Sequence, residues 1–554
     1  MNENINLLRE KFPIVPQKSL EQAISDIYSG VDIDIRPRVS GWHNKKDYES
    51  LIREYSNVPT EIPTDVTEKI KNLARGYFKG AVNWRSPLLQ YNVGAAVNIY
   101  ASAAYAVAMD VNVYNINDGL AGNMLASERT VVEIMADLAG IDRKKIAGMF
   151  TFGGTGTNLY ALKLGLSKAL PETRVRGLFD KRVKVFVSED AHFSHLRGAD
   201  WLGIGTANVE VIKADTRSRR SLIKDAEEKI SSAIEKRFTV PTIIINGGTT
   251  YSQTIDDIAE FVSLRDKLVE KYSLTYKPHV HVDSVIGWSW LTYNGYDFER
   301  NELDIELETL KRIKKQYEKI SEIKLADSWG IDFHKGVGGC PIDSSLFMVN
   351  SVDDVFYLSR KLDPSVKIHQ LANEFSLFSP VDYTLETSRS GGASFSALTM
   401  FHTEGINGLR IHLVQLIGNV RLLEERLNEI EGFRVINNPS NGFVVMVRIY
   451  PPTIDKNSLD GELFSNDEII KEKINSINKY VKDFFSYDLE TRMSENKSFE
   501  YSFSNECLST TSGVSLSALK FYPTSPHFSE KEVNMIVGVL KEQKTLFDKN
   551  QKFP

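Results

Sequence analysis

The segment Asp332-Phe333-His334-Lys335-Gly336 sets a lysine directly after a histidine. Lysine carries a primary amine, the group that holds an aldehyde cofactor covalently. A solvated surface lysine explains the same pair. Lys335 therefore gains weight only from the residues that precede it.

Three upstream segments carry chemistry of the same kind. Thr151-Phe152-Gly153-Gly154-Thr155-Gly156-Thr157-Asn158 opens a helix. Its glycines let backbone N–H groups approach an anion, and the helix start adds partial positive charge. No lysine follows as in a Walker loop, and the spacing is not the Rossmann one. A tight turn that needs glycine explains it equally well.

Ser188-Glu189-Asp190-Ala191-His192-Phe193-Ser194-His195 follows a strand. A histidine there lies where α/β ligands bind, and its flat ring could stack on a planar cofactor. A loop histidine, or a metal pair of His192 and His195, is the alternative. His281-Val282-Asp283-Ser284 ends an apolar strand. A carboxylate in that position needs a cation or N–H donors. A protonated pyridine nitrogen is one partner, and a helix N-cap is the alternative. Taken together, an anion cradle, a stacking ring, a pyridine partner and an amine point to pyridoxal phosphate (PLP).

Apolar runs supply the frame. Strands are expected at 184–188, 209–214, 242–246, 279–283 and 345–349, with helices at 97–110, 122–140, 157–170 and 255–272. Apolar strands alternating with helices predict a mostly parallel sheet covered on both faces. A serine-containing turn, Ala326-Asp327-Ser328-Trp329, is expected before Lys335. Gly140 suits a helix stop, and Ser529 with Glu532 forms a capping box. A long helix over 394–430, interrupted near Gly405 and Gly408, leads to strands at 442–447 and 499–503 and helices at 466–486 and 530–545. The organisation is thus α/β: residues 1–80 as an arm with short helices, 81–393 as a large α/β domain, and 394–554 as a linking helix with a smaller α+β domain.

At 554 residues and a net charge of −6, the chain offers an ample core and no basic surface that calls for nucleic acid or an anionic membrane. Two cysteines, Cys340 and Cys507, give neither a disulfide framework nor a cysteine metal site. The first residues show no secretory pattern and no window approaches a membrane span, so a cytoplasmic location is expected.

Residues 80 to 420 resemble the PLP-dependent group II amino acid decarboxylases. The resemblance rests on Gly122–Glu128, the Gly153–Asn158 turn, Ala191-His192-Phe193-Ser194, Gly248-Thr249-Thr250, His281-Val282-Asp283, Asp332–Lys335 and Glu386-Thr387-Ser388-Arg389-Ser390-Gly391. It implies the fold-type-I, aminotransferase-like architecture and a homodimer with the active site at the subunit interface, residues 1–80 forming a clasp. It also implies residue roles. Gly156 and Thr157 would bind phosphate, and His192 would stack on the ring. Thr250 would sit near the ring or its 3-oxygen, and Asp283 would pair with the ring nitrogen. His334 would hold phosphate or the substrate carboxylate, and Lys335 would hold the aldehyde. No metal is implied.

The chain departs from the family in having Ser284-Val285 after Asp283 and Phe333 before His334. Segment 362–382 has Phe375 and Phe378 but no tyrosine, leaving Tyr383 as the nearest candidate for a proton-donating tyrosine. The reaction implied is α-decarboxylation of an L-amino acid. Trp288, Trp290, Tyr91 and Phe333 favour a hydrophobic substrate, while Arg85 keeps an acidic one open. PLP-dependent aldehyde formation, carbon–carbon lyase chemistry and a silent scaffold are the alternatives. A metal hydrolase built on His192, His195, His279 and His281 would leave the Lys335 motif unexplained.

Overall fold

The computed structural model describes residues 6, 11, 17–31, 45–79, 81–359, 379–438, 440–495 and 499–550. Phe375 and Phe378 lie outside them, as does most of segment 362–382. Short helices Gln17–Gly30, Lys45–Tyr55 and Val66–Tyr77 come first, followed by strand β1 (Leu89–Gln90).

A seven-stranded sheet follows from β2 (Ala147–Thr151), β3 (Val185–Ser188), β4 (Val209–Ile212), β5 (Thr242–Asn246), β6 (His279–Asp283), β7 (Ser328–Asp332) and β8 (Ser345–Val349). Their order is β2-β8-β7-β6-β5-β3-β4. Strands β4, β3, β5, β6 and β7 pair in parallel, and β8 runs antiparallel to both β7 and β2. Every residue of β5 to β8 is buried, which is why these strands read as apolar runs rather than alternations. Helix Gly153–Ala169 packs across this sheet. The parallel strands bring Ser188, Asn246, Asp283 and Asp332 to one edge, at their C-terminal ends.

The sheet corrects the sequence reading in two places. Ser328 does not lie in a turn: it opens β7, with His279 Nε2 at 2.6 Å and His281 Nδ1 at 2.8 Å from its hydroxyl. Those bonds satisfy a buried hydroxyl inside a strand. Helix Gly153–Ala169 starts four residues earlier than expected, because Gly153 adopts a left-handed φ of 72° that turns the chain straight from β2 into the helix.

Helix Gly392–Glu429 runs for 38 residues with a non-helical break at Gly405. It leads to β9 (Phe433–Val435), β10 (Val445–Ile449), β11 (Glu500–Ser509) and β12 (Ser515–Phe521), which form a second sheet of order β1-β11-β12-β10-β9. Glu532 accepts a bond from the Ser529 N–H at 3.0 Å, the expected capping box, and Gly140 closes helix Met124–Ala139 in the left-handed conformation. No described helix is long and apolar enough to cross a membrane.

Candidate active site

The sheet edge opens into a cavity of about 240 Å³ lined by His192, Thr250, Asp283, His334 and Lys335. Residues more than a hundred positions apart in sequence thus meet at one place. The Lys335 turn is clamped from both sides. Ala95 N–H donates to the His334 carbonyl at 3.0 Å, and Gly336 N–H to the Val93 carbonyl at 2.9 Å. Gly336 itself has φ 58°, and the Phe443 ring lies 2.8 Å from where a Cβ would be. Only glycine fits directly after Lys335.

Lys335 Nζ lies 2.6 Å from the carboxylate of Asp332, which is fully buried. Ser345 Oγ donates to the other Asp332 oxygen at 2.6 Å. Burial alone would raise the Asp332 carboxyl, but the Lys335 and His334 charges outweigh it and hold it below the usual range.

Asp283 is 7% exposed. Its Oδ2 accepts from Asn158 Nδ2 at 2.9 Å, whereas its Oδ1 is buried without a partner. His195 Nε2 stands 3.7 Å from Oδ2, and burial holds that imidazole down at about 4, so it is neutral near pH 7. A buried carboxylate oxygen with no donor from the protein suits an N–H or cation brought by a bound group. His192 Nδ1 lies 2.9 Å from Ser194 Oγ. Burial also lowers the His192 imidazole, ahead of the opposing effect of Asp283.

The cradle differs from the expected one in its residues. Gly153, Gly154 and Thr155 line the cavity, together with Asn158. Gly156 faces Thr151, whose Oγ1 lies 2.3 Å from a built Cβ, and Thr157 is buried with its hydroxyl donated to the Gly154 carbonyl at 2.8 Å. Starting the helix at Gly153 rotates residues 156 and 157 towards the sheet. Thr250 lines the cavity as expected, and the Tyr522 hydroxyl donates to its carbonyl.

Asp190, Asn246 and Asp332 line the cavity too, without having been assigned a role from sequence. Asn246 sits opposite Asp283 in register. The strand-end rule that singled out Asp283 finds Asn246 as well. The aromatic candidates do not line the cavity. Trp288, Trp290 and Phe333 are core residues, with Trp288 Nε1 donating to the Asp332 carbonyl at 3.1 Å. Tyr91 and Arg85 lie outside the lining, and the Arg85 guanidinium donates to the Val97 carbonyl at 3.2 Å. Tyr383 is buried in a satellite core with Tyr160 and Phe347 and does not line the cavity.

This chain is 26% identical over 295 residues to the acidic amino acid decarboxylase GADL1 of Xenopus tropicalis, covering 51% of this chain and 54% of that one. It is 27% identical over 357 residues to the aspartate 1-decarboxylase of Aliivibrio fischeri, covering 60% and 56%. The chain is thus similar in sequence to these amino acid decarboxylases. The alignments span just over half of each of these relatives. No family model matches. The fold agrees with the solved structure of Oryza sativa TDC with PLP and tryptamine, at a TM-score of 0.73 and 15% identity over 96% of this chain and 97% of that one. The architecture is therefore fold-type-I α/β. Within this fold, two distant motifs close on each other: Arg389 Nη2 donates to Glu128 Oε1 at 2.6 Å in a buried pair. The same guanidinium nitrogen donates to the Phe150 carbonyl at 2.9 Å. That pair anchors Phe150 in β2, two residues before Phe152 and the glycine turn.

Proposed function

We propose that the protein is a PLP-dependent α-decarboxylase of an L-amino acid. The carrying observation is Asp283, whose buried Oδ1 lacks a partner in the cavity it shares with His192 and Lys335. When bound, the cofactor supplies an aldehyde and a protonated ring that takes up the electron pair left as carbon dioxide departs.

The residues divide the work. Lys335 offers the amine that holds the aldehyde. The Asp283 carboxylate keeps the ring nitrogen protonated, and Asn158 orients that carboxylate. His192, neutral because of its burial, presents a flat face rather than a charge. The start of helix Gly153–Ala169, with Thr155 and His334, holds the phosphate. Gly156 and Thr157 shape that turn from behind. Thr250 sits beside the ring's oxygen substituent.

The hydrophobic substrate expectation loses support, because Trp288, Trp290 and Phe333 are core and Tyr91 lies outside the cavity lining. We assign the substrate to the acidic L-amino acids, as the names of the two sequence relatives support. A homodimer with the site at the subunit interface, a clasp from residues 1–80, domains 81–393 and 394–554 and a cytoplasmic location complete the proposal. Light scattering of the purified protein reads the dimer.

The decisive test is a visible spectrum before and after borohydride, with peptide mapping, followed by carbon dioxide release from L-aspartate, L-glutamate and L-tryptophan. Expected is cofactor fixed to Lys335, release from an acidic substrate, and neither with Lys335→Ala. A protein that takes up no PLP, or turnover that survives Lys335→Ala, overturns the reading. Release from L-tryptophan alone overturns the acidic assignment.

A further inference from the structure

A second cavity, of about 620 Å³, lies between loop 216–220, the end of helix Leu307–Ile320 and residues 434–441. Its lining carries Arg217, Arg219, Arg220, Lys315, Lys319 and Arg434, against one carboxylate, Asp460. Three of these cations are paired: Arg217 with Asp460 at 2.9 Å, Arg219 with Asp190 at 2.5 Å and Arg220 with Asp257 at 2.7 Å. Among the described residues no carboxylate pairs with Lys315, Lys319 or Arg434.

Two polar atoms are left over on the same wall. Gln316 is 3% exposed, and its Oε1 is buried without a partner. Arg434 Nε is likewise buried and unpartnered. Burial draws the Lys319 amine below its ordinary range, with Arg220 adding to the effect. Buried polar atoms without a partner are costly, and Lys315, Lys319 and Arg434 bring unpaired positive charge to the same cavity. A bound anion would satisfy them through charge-assisted bonds. No aromatic ring lines the cavity, so nothing there would stack a nucleobase.

We propose that this cavity binds a small polyanion bearing two or more phosphate or carboxylate groups. The cavity shares a wall with the candidate active site. Arg219 lines one side and its partner Asp190 the other. Ser252 and Thr254 line the basic cavity, Thr249 lines the active site, and the Thr249 and Ser252 hydroxyls bond at 2.8 Å. The two cavities are thus joined by contiguous hydrogen bonds.

The test is calorimetric titration of the full chain, loaded with PLP and freed of excess, with pyrophosphate and separately with citrate. Saturable binding of at least one anion is expected, and the tighter one identifies phosphate or carboxylate as the source. Lys319→Gln/Arg434→Gln should weaken it roughly tenfold or more. Lys315→Glu, on an exposed helical position, should weaken it in the same direction without threatening the fold. If circular dichroism shows the double variant misfolded, Lys315→Glu decides. No binding of either anion below about 10 mM, or affinity unchanged in Lys315→Glu, overturns the proposal.

Discussion

The Lys335 ammonium rests 2.6 Å from the Asp332 carboxylate, three residues earlier on the same turn. The carboxylate fixes where Nζ stands at the cavity. Asp332→Asn keeps the bond from Ser345 but drops the charge that holds Nζ. Borohydride trapping of PLP on Lys335, read against PLP concentration at one fixed pH, should then need roughly tenfold more PLP. An unmoved trapping curve would restrict Asp332 to a structural role.

The buried Glu128–Arg389 pair ties two motifs separated by 261 positions. Glu128 Oε1 also accepts from the Phe150 N–H at 3.0 Å. Losing one member leaves an uncompensated charge in the core. Arg389→Met should cost about 3–5 kcal/mol in urea unfolding. A loss under 1 kcal/mol would show that the pair roughly breaks even against an apolar contact.

Two glycines of the cradle should fail differently. A Cβ on Gly154 would lie 2.9 Å from Asp332 Oδ2 and 3.0 Å from Val285. Gly154→Ala therefore presses on the cavity wall, and PLP affinity should drop about tenfold by fluorescence titration while stability changes little. A Cβ on Gly156 would meet three Thr151 atoms at 2.3 to 3.2 Å, away from the cavity. Gly156→Ala should instead cost about 1–3 kcal/mol of stability. Equal losses of PLP affinity in both variants would return Gly156 to the phosphate contact.

That contrast marks how far the residues could be read without the structure. Strands β5, β6 and β8 match their expected bounds, because runs such as Thr242-Ile243-Ile244-Ile245 suit a sheet buried on both faces. Ala147-Gly148-Met149-Phe150-Thr151 was missed, since Ala and Gly are weak strand formers and pairing with β8 decides the outcome. Ser515–Phe521 was missed for the same kind of reason, its polar and small residues being held by β10 and β11. Strand ends located His192 and Asp283, and the His334-Lys335 pair marked the lysine. Which face of a helix start meets the cavity depends on its first residue, so a helix that begins at Gly153 turns Thr155 to the cavity and Thr157 to the sheet. The Glu128–Arg389 and Asp190–Arg219 pairs have no local spacing that announces them.

The buried histidines set the acid limit of stability. Burial holds His195 and His412 at about 4, and His279 and His281 at about 3. In the unfolded chain each takes up a proton near pH 6.5. Between about pH 6.5 and 4 the unfolded state thus binds more protons than the folded one, and stability falls as pH falls. The contribution is fully present above the unfolded value and is lost on the way down to the folded ones. Each fully mismatched group adds a slope of about 1.4 kcal/mol per pH unit. His281→Asn keeps a polar partner for Ser328 and removes one such group. Urea midpoints measured at pH 7.5 and 5 should therefore separate less in His281→Asn than in the parent chain. An unchanged separation would mean that His281 titrates in the folded protein as it does in the unfolded chain.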